Sequence, residues 1–300
     1  MSTQVPRLLA GLVDDAAVFP PGSASLPDAV AAHREHRASW YADLVGPLLV
    51  PASVVATGAL GGLIDPAEGF VVGLIGDTGI APLPAALTGL DAAGIVVRQV
   101  EVAVARRGED PQPGLAELLR LTGARPERGR EPARSADPGT DWYAEIPLTF
   151  GLTAALDTLA EARAAGVRIA AKFRTGGLAA ELFPTPVELA AVICACRDRD
   201  LPFKLTAGLH HAVRHLDPET GFTHHGFGNV LAATLAAVDG GEVDAVAVLL
   251  ADTDAVRLVE PARAGRDAAR PLWIGFGSCS VREPLTDLIR LGLVNGGFDR

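Results

Sequence analysis

Short runs typical of β-strands alternate with Ala- and Leu-rich runs typical of helices along the whole chain. The strand-like runs are Leu8–Val13, Leu48–Ala52, Phe70–Gly76, Val96–Ala105, Asp141–Pro147, Arg168–Arg174, Pro202–Thr206 and Leu272–Gly277. The helix-like runs include Pro27–Leu44, Leu83–Ala92, Gly114–Thr122, Thr153–Ala165, Pro186–Arg197 and Asn229–Ala237. Strands separated by helices indicate parallel βαβ units. Eight such units in 300 residues predict a single domain, a (β/α)₈ or TIM barrel of parallel strands that spans residues 1–300.

Two segments and one alternative fold bear on this assignment. Val243–Ala251 could be a strand, but its continuation Asp252–Val259 looks helical, so we predict a helix there. A doubly wound open sheet is the alternative architecture, but no GxGxxG motif follows the first predicted strand. Residues 124–141 are rich in Pro, Gly, Arg and Asp, and they predict a long exposed loop that could be mobile.

Charge and cysteine content narrow the classes of partner. The formal net charge of −10 gives no general attraction to nucleic acid or to an anionic membrane. Cys194, Cys196 and Cys279 form no CxxC motif, and we interpret them as reduced thiols of a cytoplasmic protein. Segment 46–64 is uncharged, but its four glycines and two prolines favour a buried strand and turn over a membrane span. We therefore predict a small-molecule partner, with a homo-oligomer left open.

Ionisable residues recur on consecutive predicted strands, at positions that face one way. Side chains alternate along a strand, so Glu101 lies opposite its neighbouring valines, and Lys172 shares a face with Arg174. Because the outer face of a barrel packs on apolar helices, these residues should point inward, together with Glu145 and Lys204. Active sites of such barrels lie at the C-terminal ends of the strands, where these residues fall. A structural ring of ion pairs is the alternative interpretation.

Lysine is the rarest cation of the chain. Lys172 and Lys204 are the only lysines among 26 basic residues. A structural cation could be arginine, as elsewhere in this sequence, whereas only lysine offers a primary amine that can lose its proton and act as a nucleophile. Two lysines on adjacent strands should also lower each other's pKa, because like charges disfavour protonation. A Schiff-base amine needs that property near neutral pH.

Four short motifs follow one another in the second half of the chain. They are AEIPLTF with Glu145, KFRTGG with Lys172, KLTAGL with Lys204, and GFGSCS at 275–280. Their order and spacing resemble those of class I aldolases of the deoxyribose-phosphate aldolase type. The resemblance implies a Schiff base at Lys172, a second active-site lysine at Lys204, and a proton relay near Glu101, where that family has Asp. It also implies that the GFGSCS backbone receives a phosphate. The double glycine usual after the second lysine is missing here.

These observations predict a lyase with aldolase-like chemistry on a small oxygenated, anionic metabolite, without a cofactor. Lys172 would attack the substrate carbonyl, Lys204 would lower the pKa of Lys172, and Glu145 and Glu101 would position water and move protons. The predicted substrate-binding residues are Arg174, Thr206, His210, His211, Gly277, Ser278, Ser280 and Asp14. Asp14 is included because it directly follows the first predicted strand and could reach the barrel mouth.

Histidines are concentrated after the Lys204 strand. Five of the seven, His210, His211, His215, His224 and His225, lie within this segment. Neutral imidazole is a common metal ligand, so a divalent metal ion bound by His210, His211, His224 and His225 in a metal-dependent lyase or hydrolase is the alternative function. Their spacing matches no known metal motif. A non-catalytic metabolite-binding barrel is the third possibility. His33 and His36, on the first predicted helix, are expected to be solvated.

Overall fold

A computed structural model of the chain describes residues 5–123 and 139–296. The strands are β1 (Val13–Asp15), β2 (Val45–Pro51), β3 (Val71–Gly76), β4 (Val96–Ala103), β5 (Asp141–Glu145), β6 (Ile169–Arg174), β7 (Phe203–Thr206), β8 (His215–Leu216), β9 (Thr223–His224) and β10 (Trp273–Ser278). The α-helices are α1 (Leu26–Ala38), α2 (Ala52–Val55), α3 (Leu83–Ala92), α4 (Gln112–Leu121), α5 (Leu152–Ala164), α6 (Pro186–Arg197), α7 (Phe227–Val238), α8 (Val243–Ala251), α9 (Ala255–Ala264) and α10 (Arg282–Arg290). Short 3₁₀ helices cover Arg7–Leu9, Ala42–Leu44, Pro66–Glu68 and Ala180–Leu182.

Eight of the strands close into a barrel in the order β1, β10, β7, β6, β5, β4, β3, β2. All neighbours in this barrel are parallel, and helices separate consecutive barrel strands along the chain. The two remaining strands, β8 and β9, form an antiparallel pair between β7 and α7. The predicted (β/α)₈ barrel is therefore confirmed.

Alternation along the strands separates the barrel interior from the layer between sheet and helices. On β4, the polar residues Gln99 and Glu101 are as completely buried as Val100 and Val102. Glu101 contacts Lys204 of β7, which lies three strands away around the barrel, so the Glu101 side chain crosses the interior. The valines therefore take the opposite face, which packs against the helices.

Helix α6 shows how local sequence sets an element boundary, because the predicted and observed ranges are both Pro186–Arg197. Thr185 and Glu188 form a capping box: the Thr185 side chain accepts from the Glu188 amide at 3.3 Å, and the Glu188 carboxylate accepts from the Thr185 amide at 2.7 Å. Pro186 at the first helical position lacks an amide hydrogen that would be unsatisfied there in any case. The start of the helix was therefore predictable from these residues.

The first strand differs from its prediction. Leu8–Val13 was expected to be β1, but Arg7–Leu9 is a 3₁₀ helix, and Gly11 takes a left-handed turn with φ of +57° before β1 begins at Val13. Leu8 and Leu9 are buried in the hydrophobic core. The apolar run therefore predicted their burial correctly but predicted the wrong secondary structure. As a consequence Asp14 lies within the first strand and not after it.

Three further expectations can be compared with the structure. The predicted helix Pro27–Leu44 is divided, because α1 ends at Ala38 before a separate 3₁₀ helix. Val243–Ala251 is helical, as predicted. Of the loop predicted at 124–141, residues 124–138 lie outside the described residues and Asp141 begins β5. Within the described ranges, every helix is too short or too polar to cross a membrane.

Candidate active site

Strand register brings the predicted catalytic residues together inside the barrel. Lys172 on β6 is paired in register with Glu145 on β5 and with Lys204 on β7. The Lys172 Nζ lies 2.8 Å from Glu101 Oε2 and 2.9 Å from Glu145 Oε2. The Lys204 Nζ lies 2.5 Å from Glu101 Oε1 and also contacts Asp14 Oδ2. We call Asp14, Glu101, Glu145, Lys172 and Lys204 the buried charge cluster.

Glu101 is the centre of this cluster, because each of its two oxygens holds a different lysine. Each lysine in turn lies between two carboxylates, so the buried charges form one connected chain from Asp14 to Glu145. Buried ions are tolerated when they are paired and hydrogen-bonded. The proximity of the two lysines, predicted from adjacent strands, is thus achieved through a shared carboxylate.

Two side chains of the site were missed as functional residues. Gln99 donates from Nε2 to Asp14 at 2.6 Å and to Glu101 at 2.7 Å, which orients both carboxylates. The signal was available, because Gln99 shares a strand face with Glu101. Tyr143 on β5 places its ring 4.9 Å from the Lys204 Nζ, a cation–π contact. Tyr143 lies two residues before Glu145 on β5 and so shares its strand face, which means that the same period of two could have pointed to it.

The cluster does not lower the pKa of either lysine. Burial acts to lower the pKa of Lys172, but Glu101 and Glu145 outweigh it and raise the pKa above its ordinary value. The same balance, with Asp14 and Glu101 as the carboxylates, raises the pKa of Lys204. The expected mutual lowering is therefore wrong for the resting site, because each ammonium has two carboxylate neighbours. Both amines carry their protons at neutral pH.

The three carboxylates differ in their affinity for protons. Burial acts to raise the pKa of Glu101, but the two lysines lower it from 4.5 to about 2. For Glu145, Lys172 and Arg174 similarly outweigh burial and lower the pKa. Burial dominates at Asp14 and raises its pKa in spite of Lys204. Asp14 is thus the carboxyl group of the cluster that takes up a proton most readily.

A cavity of about 330 Å³ opens beside the cluster, lined by residues at or just after the ends of β4, β5 and β6, by segment 181–184 and by Glu188. Glu145 and Arg174 both line it. Glu145 Oε1 accepts from Arg174 Nε at 3.1 Å, while Oε2 binds Lys172. Glu145 is therefore the link between the cavity and the Lys172 amine, which itself is only 5% exposed.

The GFGSCS turn uses its hydroxyl groups internally. Ser278 Oγ donates to the carbonyl of Ser280 at 2.8 Å, and Ser280 Oγ accepts from the Glu283 amide at the start of α10. Gly277 is paired in register with Thr206 on β7. These residues lie at the C-terminal ends of β7 and β10 and do not line the cavity themselves, although Thr206 is paired in register with Arg174, which does. Their role in substrate binding stays a prediction.

The histidine segment, which we define as residues 210–225, gives its histidines separate partners. His210 Nδ1 lies 2.8 Å from Glu283 Oε2, and the Cys279 Sγ is 4.0 Å from both nitrogens of the ring. Hydrogen bonding to Cys279 is the largest contribution that raises the pKa of His210 to about 9, against the opposing effect of burial and with further help from Glu283. His211 pairs with Asp287 at 3.3 Å.

The other histidines of the segment contact one another or neighbouring groups of the chain, although His224 Nε2 is buried without a hydrogen-bond partner. His215 and His224 are paired across β8 and β9 with their rings stacked at 5.4 Å. His225 is buried, and its Nε2 donates to the carbonyl of Pro184 at 2.7 Å while Nδ1 accepts from Arg214. Burial lowers the pKa of His225 to about 4, against the raising effect of Pro184. His225 is therefore neutral at physiological pH.

These separate partners divide the set His210, His211, His224 and His225 that was the alternative metal site. Among residues 5–123 and 139–296, no group of three or more His, Cys, Asp or Glu side chains is arranged to hold a metal ion. The histidines of α1 also differ from expectation. His33 and His36 are buried and not solvated, because His33 Nδ1 pairs with Asp15 at 3.0 Å and His36 Nδ1 with the Tyr41 hydroxyl.

Comparison of the chain with protein families, with curated proteins and with solved structures found no significant match. The chemistry of the site must therefore be inferred from its own residues. The (β/α)₈ barrel is a fold that many enzymes share, and its active sites lie at the C-terminal ends of the strands. The cavity and Glu145, the last residue of β5, lie at that end of this barrel.

Proposed function

We propose that the protein is a lyase of the class I aldolase type, in which Lys172 forms a Schiff base with a small carbonyl compound. One observation carries the proposal: the Lys172 amine is held between two carboxylates, and one of them, Glu145, lines an open cavity. An amine beside a carboxylate that faces the substrate has a proton acceptor at 2.9 Å, which nucleophilic attack requires.

The raised pKa of Lys172 defines the first chemical step, which is transfer of its proton to Glu145. Arg174 now holds Glu145 in its ionised form. The negative charge of a substrate bound in the cavity would disfavour the ionised form of Glu145 and so raise the proton affinity of Glu145. The proton then moves from the ammonium to the carboxylate, which leaves a neutral amine and a neutral acid side by side.

The remaining steps use the same two groups. The amine lone pair of Lys172 attacks the carbonyl carbon, and the carbonyl oxygen takes the proton from Glu145. Glu145 then accepts a proton from the nitrogen of the carbinolamine and returns it to the departing hydroxyl, which leaves as water. The product is an iminium ion that can accept the electron pair of a neighbouring carbon–carbon bond. Glu101 stays ionised throughout, which stabilises the positive nitrogen.

Lys204 is a positioning residue in this mechanism. It occupies one oxygen of Glu101 and leaves the other for Lys172. It also balances the charge of Asp14, so that Glu101 is available to the reacting nitrogen. Its expected effect on the rate is therefore indirect, through the geometry and ionisation of Glu101.

A second candidate follows from the same raised pKa. A lysine that stays protonated can act as a general acid while Glu145 acts as the base, which would give a proton-transfer enzyme such as an isomerase or dehydratase without a covalent intermediate. The two candidates share the site and the cavity. They differ in whether a bond forms between Lys172 and the substrate.

Borohydride trapping separates them. The protein is incubated with a panel of aldehydes and ketones, reduced with sodium borohydride and analysed by intact mass and peptide mapping, with Lys172→Arg and Lys204→Arg as paired variants. We expect a reduced adduct on Lys172 that is absent from Lys172→Arg and slower to form, but present, in Lys204→Arg. Absence of an adduct at Lys172 with every carbonyl compound would reject the lyase. Exchange of substrate α-protons with deuterated water, without trapping, would then support proton transfer.

A further inference from the structure

Two adjacent arginines line the cavity beside Glu145. Arg106 and Arg107 follow the end of β4, and both are exposed. Within residues 5–123 and 139–296 neither guanidinium forms an ion pair or a side-chain hydrogen bond. Arg174, on the same cavity, is already occupied by Glu145. An unengaged arginine pair at the entrance of a pocket is suited to bind carboxylate or phosphate groups, which guanidinium recognises through paired hydrogen bonds.

The backbone that carries this pair is fixed by neighbouring strands. The Val104 amide donates to the carbonyl of Glu145 at 3.1 Å, and the Arg106 amide donates to Glu109 Oε2 at 2.9 Å. Gly108, with φ of +87°, donates to Thr149 Oγ1 at 3.4 Å. These bonds hold the loop after β4 against the loop after β5. The arginines are thus presented to the cavity from a fixed backbone, which lowers the entropy lost on binding.

The glutamates that line the same cavity form no ion pair with Arg106 or Arg107 among the described residues, although the charge of Arg107 acts on Glu188 from a greater distance. Glu145 is engaged by Lys172 and Arg174. Glu188 accepts both the amide and the hydroxyl of Thr185, at 2.7 and 2.8 Å, as part of the α6 cap. Glu181 is exposed on the cavity wall, where its carboxylate can accept hydrogen bonds from hydroxyl groups of a ligand. A cavity of about 330 Å³ is within the usual range for a small-molecule site.

We propose that Arg106 and Arg107 bind a terminal oxyanion of the substrate, a carboxylate or a phosphate. The substrate is then a short hydroxylated carbonyl compound whose anionic group lies at the end remote from the carbonyl. This inference rests on the proposed function, because Lys172 and Glu145 define where the carbonyl is placed. It moves the anionic end of the substrate from Arg174 and the Gly277–Ser280 turn, where the sequence predicted it, to Arg106 and Arg107 on the β4 side of the barrel mouth.

Matched pairs of carbonyl probes test the inference. Succinic semialdehyde is compared with butanal, and glyceraldehyde 3-phosphate with glyceraldehyde, by the concentration that gives half-maximal borohydride trapping at Lys172. The variants are the double substitution Arg106→Gln/Arg107→Gln and the control Arg120→Gln. Arg120 is also exposed and without an ion pair in the described chain, but it lies on α4 outside the cavity.

We expect the double variant to raise the half-maximal concentration of at least one anionic probe about tenfold or more, because hydrogen bonds between a guanidinium and an anion are stronger than neutral ones. The uncharged probes should change less than about twofold. Arg120→Gln should match the wild type with every probe. Equal trapping of both anionic probes by the wild type and the double variant would overturn the inference. The probe that responds identifies carboxylate or phosphate as the anion.

A binding measurement without covalent chemistry keeps the two proposals distinguishable. Inorganic phosphate and succinate are titrated into the wild type, the double variant and Arg120→Gln by isothermal calorimetry. Binding that is lost in the double variant alone supports the anion site even if no carbonyl compound is trapped, in which case the Schiff base is rejected. Binding of neither ion to the wild type, or equal binding to the double variant, overturns the anion site while leaving any trapping at Lys172 intact.

Discussion

The buried charge cluster and the histidine segment both concentrate ionisable side chains, but they arrange them in opposite ways. In the cluster, Glu101 is shared by two lysines and each lysine is shared by two carboxylates. In the histidine segment, His210 has Glu283 and His211 has Asp287 as its own carboxylate. A shared network makes each charge depend on the others, whereas separate pairs can be changed one at a time. We therefore expect a single substitution to disturb the whole buried charge cluster, whereas a substitution in the histidine segment should have a local effect.

The largest effect is expected from breaking the cluster at Lys204. Lys204→Met leaves Asp14 and one oxygen of Glu101 without a cation in a buried site, which should lower the free energy of unfolding by about 3–5 kcal/mol. His215→Ala, in the histidine segment, removes a partly exposed ring and should cost less than about 1 kcal/mol. Urea denaturation of both variants measures the difference. Similar costs for the two substitutions would contradict the distinction between a network and separate contacts.

The sequence predicted the barrel and the inward face better than it predicted the contacts of the cluster. Alternation of strands and helices, together with the period of two along β4 and β6, was enough to place Glu101 and Lys172 inside. The sign of the lysine pKa shift could not be predicted, because it depends on how many carboxylates surround each amine. Asp14 supplies one of them, and its position required the true start of β1, which an apolar run at Leu8–Val13 concealed.

The sequence also failed to predict that polar residues on a helix are buried. His33 and His36 lie on α1, whose buried positions are a mixture of small apolar residues and histidine. No apolar stripe marks the inner face of such a helix, so hydrophobic periodicity could not identify it. His33 is buried because Asp15 on β1 offers it a carboxylate, a contact between residues 18 positions apart. Such long-range contacts can be predicted only when the fold is known, whereas the cap of α6 could be predicted from four consecutive residues.

The dependence of stability on acidic pH tests the buried charge cluster through Glu101. The pKa of Glu101 is lowered from 4.5 to about 2, so its stabilisation is complete above pH 4.5 and is lost as pH falls through about 2. This lowering of the Glu101 pKa corresponds to about 3 kcal/mol of folding free energy. Asp14 acts in the opposite sense because burial raises its pKa. The contribution of Glu101 must therefore be isolated by comparing the pH dependence of stability in a variant with that of the wild type.

We expect the free energy of unfolding to fall less steeply between pH 4.5 and 2 in Glu101→Gln than in the wild type, since the amide cannot titrate. Glu117→Gln, at an exposed position of α4, is the control and should follow the wild-type slope. Chemical denaturation at several pH values provides the curves. A slope in Glu101→Gln equal to that of the wild type would show that the lysines do not hold Glu101 in its ionised form.

The dependence of stability on alkaline pH tests the histidine segment in the same way. The expected effect is smaller because His210 is partly exposed. Its pKa is raised from 6.5 to about 9, so its stabilisation is complete below pH 6.5 and is lost as pH rises through about 9. His210→Asn should remove this decline, whereas His211→Asn should keep it. If thermal denaturation between pH 6.5 and 9 gives the same decline in both variants, Glu283 and Cys279 do not stabilise the His210 imidazolium.

The smallest effect concerns the three thiols. Cys279 is partly exposed, whereas Cys194 and Cys196 are buried on α6, where burial raises the pKa of both. The thiolate is the nucleophile in alkylation. Iodoacetamide should therefore modify Cys279 about tenfold faster or more than the other two, as judged by peptide mass mapping over time.

His210 should influence this reaction although it belongs to a segment of separate pairs. It carries its proton at neutral pH, and a positive charge 4.0 Å from sulfur attracts the thiolate. His210→Asn should therefore slow the alkylation of Cys279 several-fold at pH 8, whereas His211→Asn, which removes one partner of Asp287 and the ring contact with His215, should leave it unchanged. Equal rates in the two variants would mean that Cys279 is insensitive to the imidazole. The ion pairs of the histidine segment would then act independently of their surroundings, in contrast to the shared charges of the cluster.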